Sequence, residues 1–332
     1  MEKLFGELKT GEKIYKYSIK GENISAEITN YGAAIVKLFV FGRDVVGGFD
    51  TLEDYILDDS YQGAVIGRVA NRIKNSEFKI DGNTYRVTKN DGDNCLHGGC
   101  GFDKKAWQVL NHSESSITLA YTSKDDEEGF PASLNVTVTY TAIKNTLLID
   151  YKAVADGKTP IALTNHSYFN LDGLGGDIKK HKVKIYAKNY TATDEQLIPT
   201  GERPSVIGTP YDFIDEHEVG ERFSENFFGY DTNFILSKPT NEKILGKDLS
   251  IAAELSGEKI KMTLYTNMPG VQFYTANFLD GGVPFKDGIP KIKYGALCLE
   301  TQTEPNSVNL GLGIYDKDEL YTHTSAYRFD LI

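Results

Sequence analysis

The chain has 332 residues, 40% hydrophobic and 25% charged, which is ordinary for a globular protein and excludes collagen-like, disordered and coiled-coil classes. Lys and Arg number 36 against 47 Asp and Glu, a net charge of −11, so nucleic-acid phosphates and anionic membrane surfaces are repelled on average and neither is an expected partner. The cysteines Cys95, Cys100 and Cys298 form no Cys-x-x-Cys pair to hold zinc, and reduced thiols in a cytoplasmic protein are the simplest account.

The first residues, Met1 to Glu7, carry no basic region followed by an apolar core, so neither a secretory leader nor a membrane span is expected. Leu52-Glu53-Asp54-Tyr55 reads as at most a helical turn. Phe78-Lys79-Ile80 and Tyr85-Arg86-Val87 flank the turn Asp81-Gly82-Asn83, a hairpin signal. Period-two alternation follows in Ser116 to Tyr121 and again in Leu134 to Tyr140, the pattern of half-buried antiparallel strands. Gly173-Leu174-Gly175-Gly176 opens no helical pattern and reads as a loop, not a phosphate cradle. Ile251 to Leu255 fits a strand or a short helical turn, and Ser256-Gly257 turns the chain into the alternating run Lys259 to Tyr265.

Twenty tyrosines and seventeen phenylalanines against one tryptophan, Trp107, strengthen the case for strands, where flat and β-branched side chains pack on a pleated surface. Long helices, linkers and repeats are not evident. The expectation is an all-β protein, a large antiparallel β-sandwich formed by residues 1–332 as a single domain.

Chemistry concentrates in three places. His166 lies in Asn165-His166-Ser167-Tyr168-Phe169-Asn170, directly after the apolar run Ile161-Ala162-Leu163. His97 lies in Leu96-His97-Gly98-Gly99, and Glu300 follows the run Gly295 to Leu299. A carboxylate ending an apolar strand is costly unless paired or functional, and histidine holds or releases a proton near neutrality. No Gly-x-x-x-x-Gly-Lys-Ser/Thr loop and no Gly-x-Ser-x-Gly elbow occur, so no cofactor is expected and the chemistry falls to side chains alone. An asymmetric His and Glu pair suits a reaction that removes one proton while adding another.

The motifs resemble, in order and over nearly the whole chain, those of the aldose 1-epimerase (galactose mutarotase) family. The matching pieces are Gly67 to Ile73, Leu96 to Gly99, Gly101 to Lys104 with Trp107, Leu163 to Leu171, Ile198 to Gly201, Gly229 to Phe234, Pro269 to Thr275 and Leu299 to Gln302. The resemblance implies a β-supersandwich that interconverts the α and β anomers of an aldohexose such as galactose or glucose. It implies Glu300 as the base at the C1 hydroxyl, His166 as the acid at the ring oxygen, and His97 as a second histidine on the sugar. Asn71, Arg72, Tyr168, Asp231 and Gln272 match sugar-contacting positions. Ser167 is placed with them, and with Asn165 it is a candidate for fixing the His166 ring. No metal is expected, and the protein would act as a monomer or homodimer on a small sugar.

Taken singly, Arg72 would be a surface residue, Gln272 solvent-facing and Asp231 a turn former. His112, His181, His217 and His323 stand outside any motif and read as surface histidines. Glycoside hydrolysis would need a second carboxylate, for which Glu304 or Asp231 are available. A hexose-phosphate mutarotase would want more basic residues, a non-catalytic carbohydrate-binding protein would not need His166 and Glu300, and His97, His166 and Glu300 would also suit a facial metal triad. Two departures stand out: only Cys100 separates Gly99 from Gly101, and Ile314 to Leu320 lacks the proline- and glycine-bearing turn expected there.

Overall fold

The computed structural model describes residues 2–332. Its strands form three main antiparallel sheets. Glu2–Glu7, Lys13–Lys20, Ile24–Thr29, Ile35–Val40 and Arg43–Asp44 make a five-stranded meander. A ten-stranded sheet is built around Leu134–Ile143, Thr146–Ala155, Leu320–Leu331, Ile260–Thr266 and Lys247–Ser256. A four-stranded sheet runs in the order Ala187–Tyr190, Asp231–Leu236, Gly270–Tyr274, Cys298–Gln302. The all-β expectation holds, and the one α-helix among the described residues is Leu52–Leu57. No helix among them is long and apolar enough to cross a membrane.

Local sequence explains these elements. In Leu134–Ile143 every second side chain is buried, Leu134, Val136, Val138, Tyr140 and Ala142, which is the alternation of a strand with one face in the core. The hairpins expected at Asp81-Gly82 and Ser256-Gly257 form, pairing Glu77–Ile80 with Asn83–Arg86 and Lys247–Ser256 with Ile260–Thr266. Ile251 to Leu255 is therefore strand and not helical turn. At the short helix, the Thr51 hydroxyl accepts from Asp54 N–H at 3.2 Å and Leu52 and Tyr55 are buried, so one cap and two anchors hold a single turn that propensity alone would not sustain.

The largest apolar cluster joins the sheets, drawing on residues from Tyr17 to Phe329. In the four-stranded sheet, Phe234, Val271, Phe273 and Leu299 point into it, each at most 1% exposed. Truncating Phe273 to alanine would cost roughly 3–5 kcal/mol. The alternate residues of the same strands necessarily take the opposite face, and Asp231, Gln272 and Glu300 lie there. Register then brings them together, with Gln272 opposite Glu300 and Asn233 opposite Gln272. The apolar face thus fixes where the polar face presents its acids.

The loop after the short helix is anchored from below by Asp58, which forms a buried ion pair with Lys291 (side chains 4% and 5% exposed) and accepts from Ser60 N–H at 2.8 Å. Removing one partner of such a pair leaves a charge without compensation. Lys291→Met is expected to destabilise the protein by about 3–5 kcal/mol, read from the urea midpoint, with Asp58→Asn added in the same chain recovering part of the loss.

Candidate active site

A cleft of about 250 Å³ opens over the polar face of the four-stranded sheet, just under the roughly 300–1,000 Å³ of drug-sized sites and suited to a single small ring. Glu300, His166, His97, Asn71, Arg72, Tyr168 and Asp231 all line it. A larger open groove of about 910 Å³ lies elsewhere, but its lysines and acids pair with one another, as in Lys182 with Glu216, and its one histidine and acid pair, His181 and Asp172 at 3.7 Å, has His181 Nε2 already taken by Leu171 N–H.

Glu300 sits in the middle of Cys298–Gln302, not at its end, and is 2% exposed. Its Oε1 lies 3.7 Å from His166 Nε2. Its Oε2 is buried with no hydrogen-bond partner among the described residues, an unsatisfied acceptor of the kind that marks a working group more often than a structural one. Burial pushes the Glu300 carboxyl well above the usual carboxylate range, and the charge of Asp231 pushes it further.

His166 follows the two-residue strand Thr164–Asn165, which pairs with Val65–Ile66. The backbone is pinned on both sides, since His166 N–H donates to Ala64 O at 3.0 Å and Gly63 N–H donates to His166 O at 3.0 Å. Asn165 adds a bond from Nδ2 to Gly63 O at 2.8 Å, and Ser167 Oγ donates to Asn165 Oδ1 at 2.6 Å. Ser167 is 2% exposed and does not line the cleft; its hydroxyl is spent on Asn165, which orders the backbone around the imidazole. Burial lowers the His166 pKa to about 4.

His97 and Asn71 both have left-handed backbones, φ 55° and 61°, and they bind each other reciprocally. His97 N–H donates to Asn71 O at 3.0 Å and Asn71 N–H donates to His97 Nδ1 at 3.1 Å. A backbone N–H can only donate, so Nδ1 holds the lone pair and the neutral ring carries its proton on Nε2. Burial, with His166 and Arg72 nearby, keeps His97 well below its ordinary pKa, and a neutral Nε2–H donor is the result. Gly98 makes the bend possible: its φ is +82°, and a Cβ there would lie 2.4 Å from Gly67 O. The adjoining Cys100 N–H donates to Glu128 Oε2 at 3.1 Å, which secures the short link between Gly99 and Gly101.

Arg72 Nε pairs with Asp91 Oδ2 at 2.7 Å, leaving its terminal nitrogens without partners among the described residues. Asp231 Oδ1 accepts from Gln272 Nε2 at 2.7 Å. Gln272 itself is 3% exposed and, like Ser167, stands behind the cleft wall instead of in it. Tyr168 packs its ring on His166, centroids 5.0 Å apart.

Some lining residues carry no sequence signal of their own. Tyr61, left-handed at φ 59°, places its ring 4.6 Å from His97 and 5.7 Å from His166. Tyr274 and Phe278 stack at one rim; Tyr274 belongs to the Pro269 to Thr275 motif, and alternation from Gln272 would have placed it on the polar face. Two histidines read as surface residues are buried. His323, 1% exposed, donates from Nδ1 to Leu163 O at 3.1 Å, and its Nε2 meets Thr301 Oγ1 at 2.8 Å. His181, 2% exposed, accepts Leu171 N–H at Nε2, 3.1 Å away. Each ring thus has a backbone partner for one nitrogen, and hydroxyls meet the other nitrogen of His323, which lets both lie in the interior. Glu304, weighed as a second carboxylate, is taken up by Arg203 outside the cleft.

Stacked antiparallel sheets, with a carboxylate on the four-stranded one facing an imidazole from a neighbouring segment across one cleft, define an all-β sandwich built for acid and base chemistry. The sequence profile of the Aldose 1-epimerase family matches residues 15–328. The chain is 41% identical to the galactose mutarotase of Homo sapiens over 99% of its length and 98% of that protein. It is 37% identical to the aldose 1-epimerase of Escherichia coli strain K12 over 80% of this chain and 78% of that one. The crystal structure of galactose 1-epimerase from Lactobacillus acidophilus superposes with a TM-score of 0.88 at 25% identity, covering 100% of this chain and 98% of that one. An aldose epimerase homologue from C. elegans gives 0.87 at 28% identity, covering 96% and 99%. The chain belongs to the aldose 1-epimerase family.

Proposed function

We propose that the protein, acting as one catalytic unit, interconverts the α and β anomers of an unphosphorylated aldohexose such as galactose or glucose, with Glu300 as base and His166 as acid. The observation that carries this reading is the pair itself: two buried titratable groups 3.7 Å apart, opening on a ring-sized polar cleft. In ring opening, ionised Glu300 takes the proton of the C1 hydroxyl while protonated His166 gives one to the ring oxygen. The C1–O5 bond breaks, and C1 becomes an aldehyde that rotates about the C1–C2 bond. Closure runs the transfers backwards on the other face, with neutral Glu300 protonating the aldehyde oxygen and neutral His166 taking the proton of the C5 hydroxyl.

The proton inventory closes on itself. Ion pair and neutral pair hold the same number of protons, so a turnover needs no exchange with solvent. Burial raises the energy of the ion pair relative to the neutral pair, which favours the ring-opening transfer once the ion pair has formed. His97 Nε2–H and the Arg72 fork donate to sugar oxygens, while Asp231 accepts from hydroxyls.

Charge in the cleft favours a neutral sugar. Its lining carries Asp59, Asp231 and Glu300 against the single cation Arg72, a poor environment for a phosphate dianion. The test is polarimetry on fresh α-galactose and α-glucose, with hexose 6-phosphates alongside, and with Glu300→Ala and His166→Ala as controls. Rates equal to the spontaneous reaction would sink the reading. Ring nitrogens of the two histidines and a Glu300 oxygen lie within 4.8 Å of one another, so the same assay is repeated after chelator treatment, with undiminished rate the expected result.

Asp231→Asn separates binding from chemistry. Loss of a charge-assisted acceptor is expected to raise KM about tenfold or more. Because the Asp231 charge helps hold the Glu300 pKa up, the alkaline limb of the kcat/KM profile should also move to lower pH.

A further inference from the structure

We propose that Cys298 is a positioning residue for the acid: its thiol is the partner of His166 Nδ1, and this contact fixes the imidazole plane with Nε2 toward Glu300 and the sugar. Cys298 Sγ lies 3.6 Å from His166 Nδ1, while Nε2 lies 3.7 Å from Glu300 Oε1. The two ring nitrogens are thus engaged from opposite sides by one strand. Cys298 and Glu300 are two residues apart in Cys298–Gln302, so both project from the same face, and the spacing of a single strand sets the ring between them.

The surroundings leave the thiol no other task. Cys298 is 0% exposed, in an apolar cluster with Tyr168, Ala276, Leu279 and Phe285, and His166 Nδ1 is its only hydrogen-bond partner among the described residues. Burial keeps the thiol protonated, which separates it from reactive cysteines.

Sulfur suits the acid in both of its states. An imidazolium that gives its Nε2 proton to the sugar is left as a neutral ring with the proton on Nδ1, and sulfur accepts that N–H weakly throughout. A carboxylate there would hold the imidazolium more firmly and make it a poorer acid toward a weakly basic ring oxygen. While the ring is neutral with its proton on Nδ1, sulfur goes on accepting that N–H, so Nε2 keeps the lone pair that ring closure requires. No bond to sulfur forms or breaks.

The inference rests on the reading of His166 as the acid. Its test compares Cys298→Ser, which keeps a donor and acceptor, with Cys298→Val, which keeps bulk without either, and with Cys298→Ala. Valine and alanine are expected to lower kcat about tenfold with KM within about twofold, and serine to stay within about threefold of the parent. A group that merely fills space gives the reverse order, so parental kcat in the valine variant, or a serine variant as slow as alanine, would overturn the proposal. Should valine or alanine prevent folding, the ¹⁵N resonances of His166 decide between the parent and Cys298→Ser: Nδ1 should move and Nε2 hold, and an unmoved Nδ1 overturns it. A parent without polarimetric activity, or an undiminished His166→Asn variant, would instead sink the function proposed above. An active, His166-dependent enzyme indifferent to Cys298→Val sinks only this inference.

Discussion

Replacing Glu300 with glutamine is expected to lower kcat by about 10³-fold, within the roughly 10²–10⁴ of a positioned general base, while leaving KM within a few-fold. Glutamine keeps the shape and one acceptor oxygen, so the sugar still binds, but the amide takes no proton from the C1 hydroxyl. The same substitution should make the protein more stable at neutral and alkaline pH. The folded-state pKa of Glu300 lies well above its ordinary value because of burial. Its favourable contribution is therefore fully present below about pH 4.5, the unfolded value, and is lost as pH rises through the folded one. Glutamine carries no such penalty, so its advantage grows with pH and vanishes in acid. Chemical denaturation at pH 4, 7 and 9, beside polarimetric kcat, reads both effects. A variant that loses activity and stability together at pH 9 would make Glu300 a structural residue and remove the base from the mechanism.

That opposition of activity and stability follows from where the residue sits. A carboxylate on the cleft face of an otherwise well-buried strand is tolerated because Phe273 and Leu299 on the reverse face hold the sheet in place, and because Asp231 and Gln272 fill the polar side. Sequence reveals this much: alternation in Gly270–Tyr274 and Cys298–Gln302 sorts their side chains into two faces, and ordered motifs identify the family. It does not reveal the pairing register that sets Gln272 opposite Glu300, because register depends on sheet partners far away in the chain.

The same limit applies to the polar neighbours of these residues. Gln272 and Ser167 are polar residues beside functional ones, and nothing local tells a side chain that touches a ligand from one that braces it. Each reaches a neighbouring polar group first, Asp231 and Asn165. Tyr61 enters the cleft through a left-handed backbone in a loop, a conformation that its sequence, Ser60-Tyr61-Gln62-Gly63, does not demand. His181 and His323 looked like surface residues because their neighbours are polar or charged. Their backbone partners, Leu171 and Leu163, come from the chain segment that carries His166 and become neighbours only on folding.

His166→Asn is the second large effect, an expected loss of about 10²–10⁴ in kcat, and the pH profile of the parent enzyme shows why the residue is unusual. An ordinary histidine acid would place a kinetic limb near pH 6.5. Here burial holds the His166 pKa at about 4 and pushes Glu300 up. The active pair holds one proton between its two groups, so activity is lost in acid when His166 gains a second and in alkali when Glu300 gives up the last. The bell in kcat/KM should therefore have its acid limb near pH 4 and its alkaline limb above the usual carboxylate range, with a broad plateau across neutrality. Stability follows the same group with its own sign. A lowered folded pKa means that the neutral imidazole contributes fully above about pH 6.5, and that this contribution is lost as pH falls toward 4. Asparagine at 166 should remove that acid sensitivity while lowering kcat as stated. Initial rates from pH 3.5 to 9, corrected for spontaneous mutarotation, give the test, and an acid limb at pH 6 or above would show that the imidazole is solvated and titrates as an ordinary surface group.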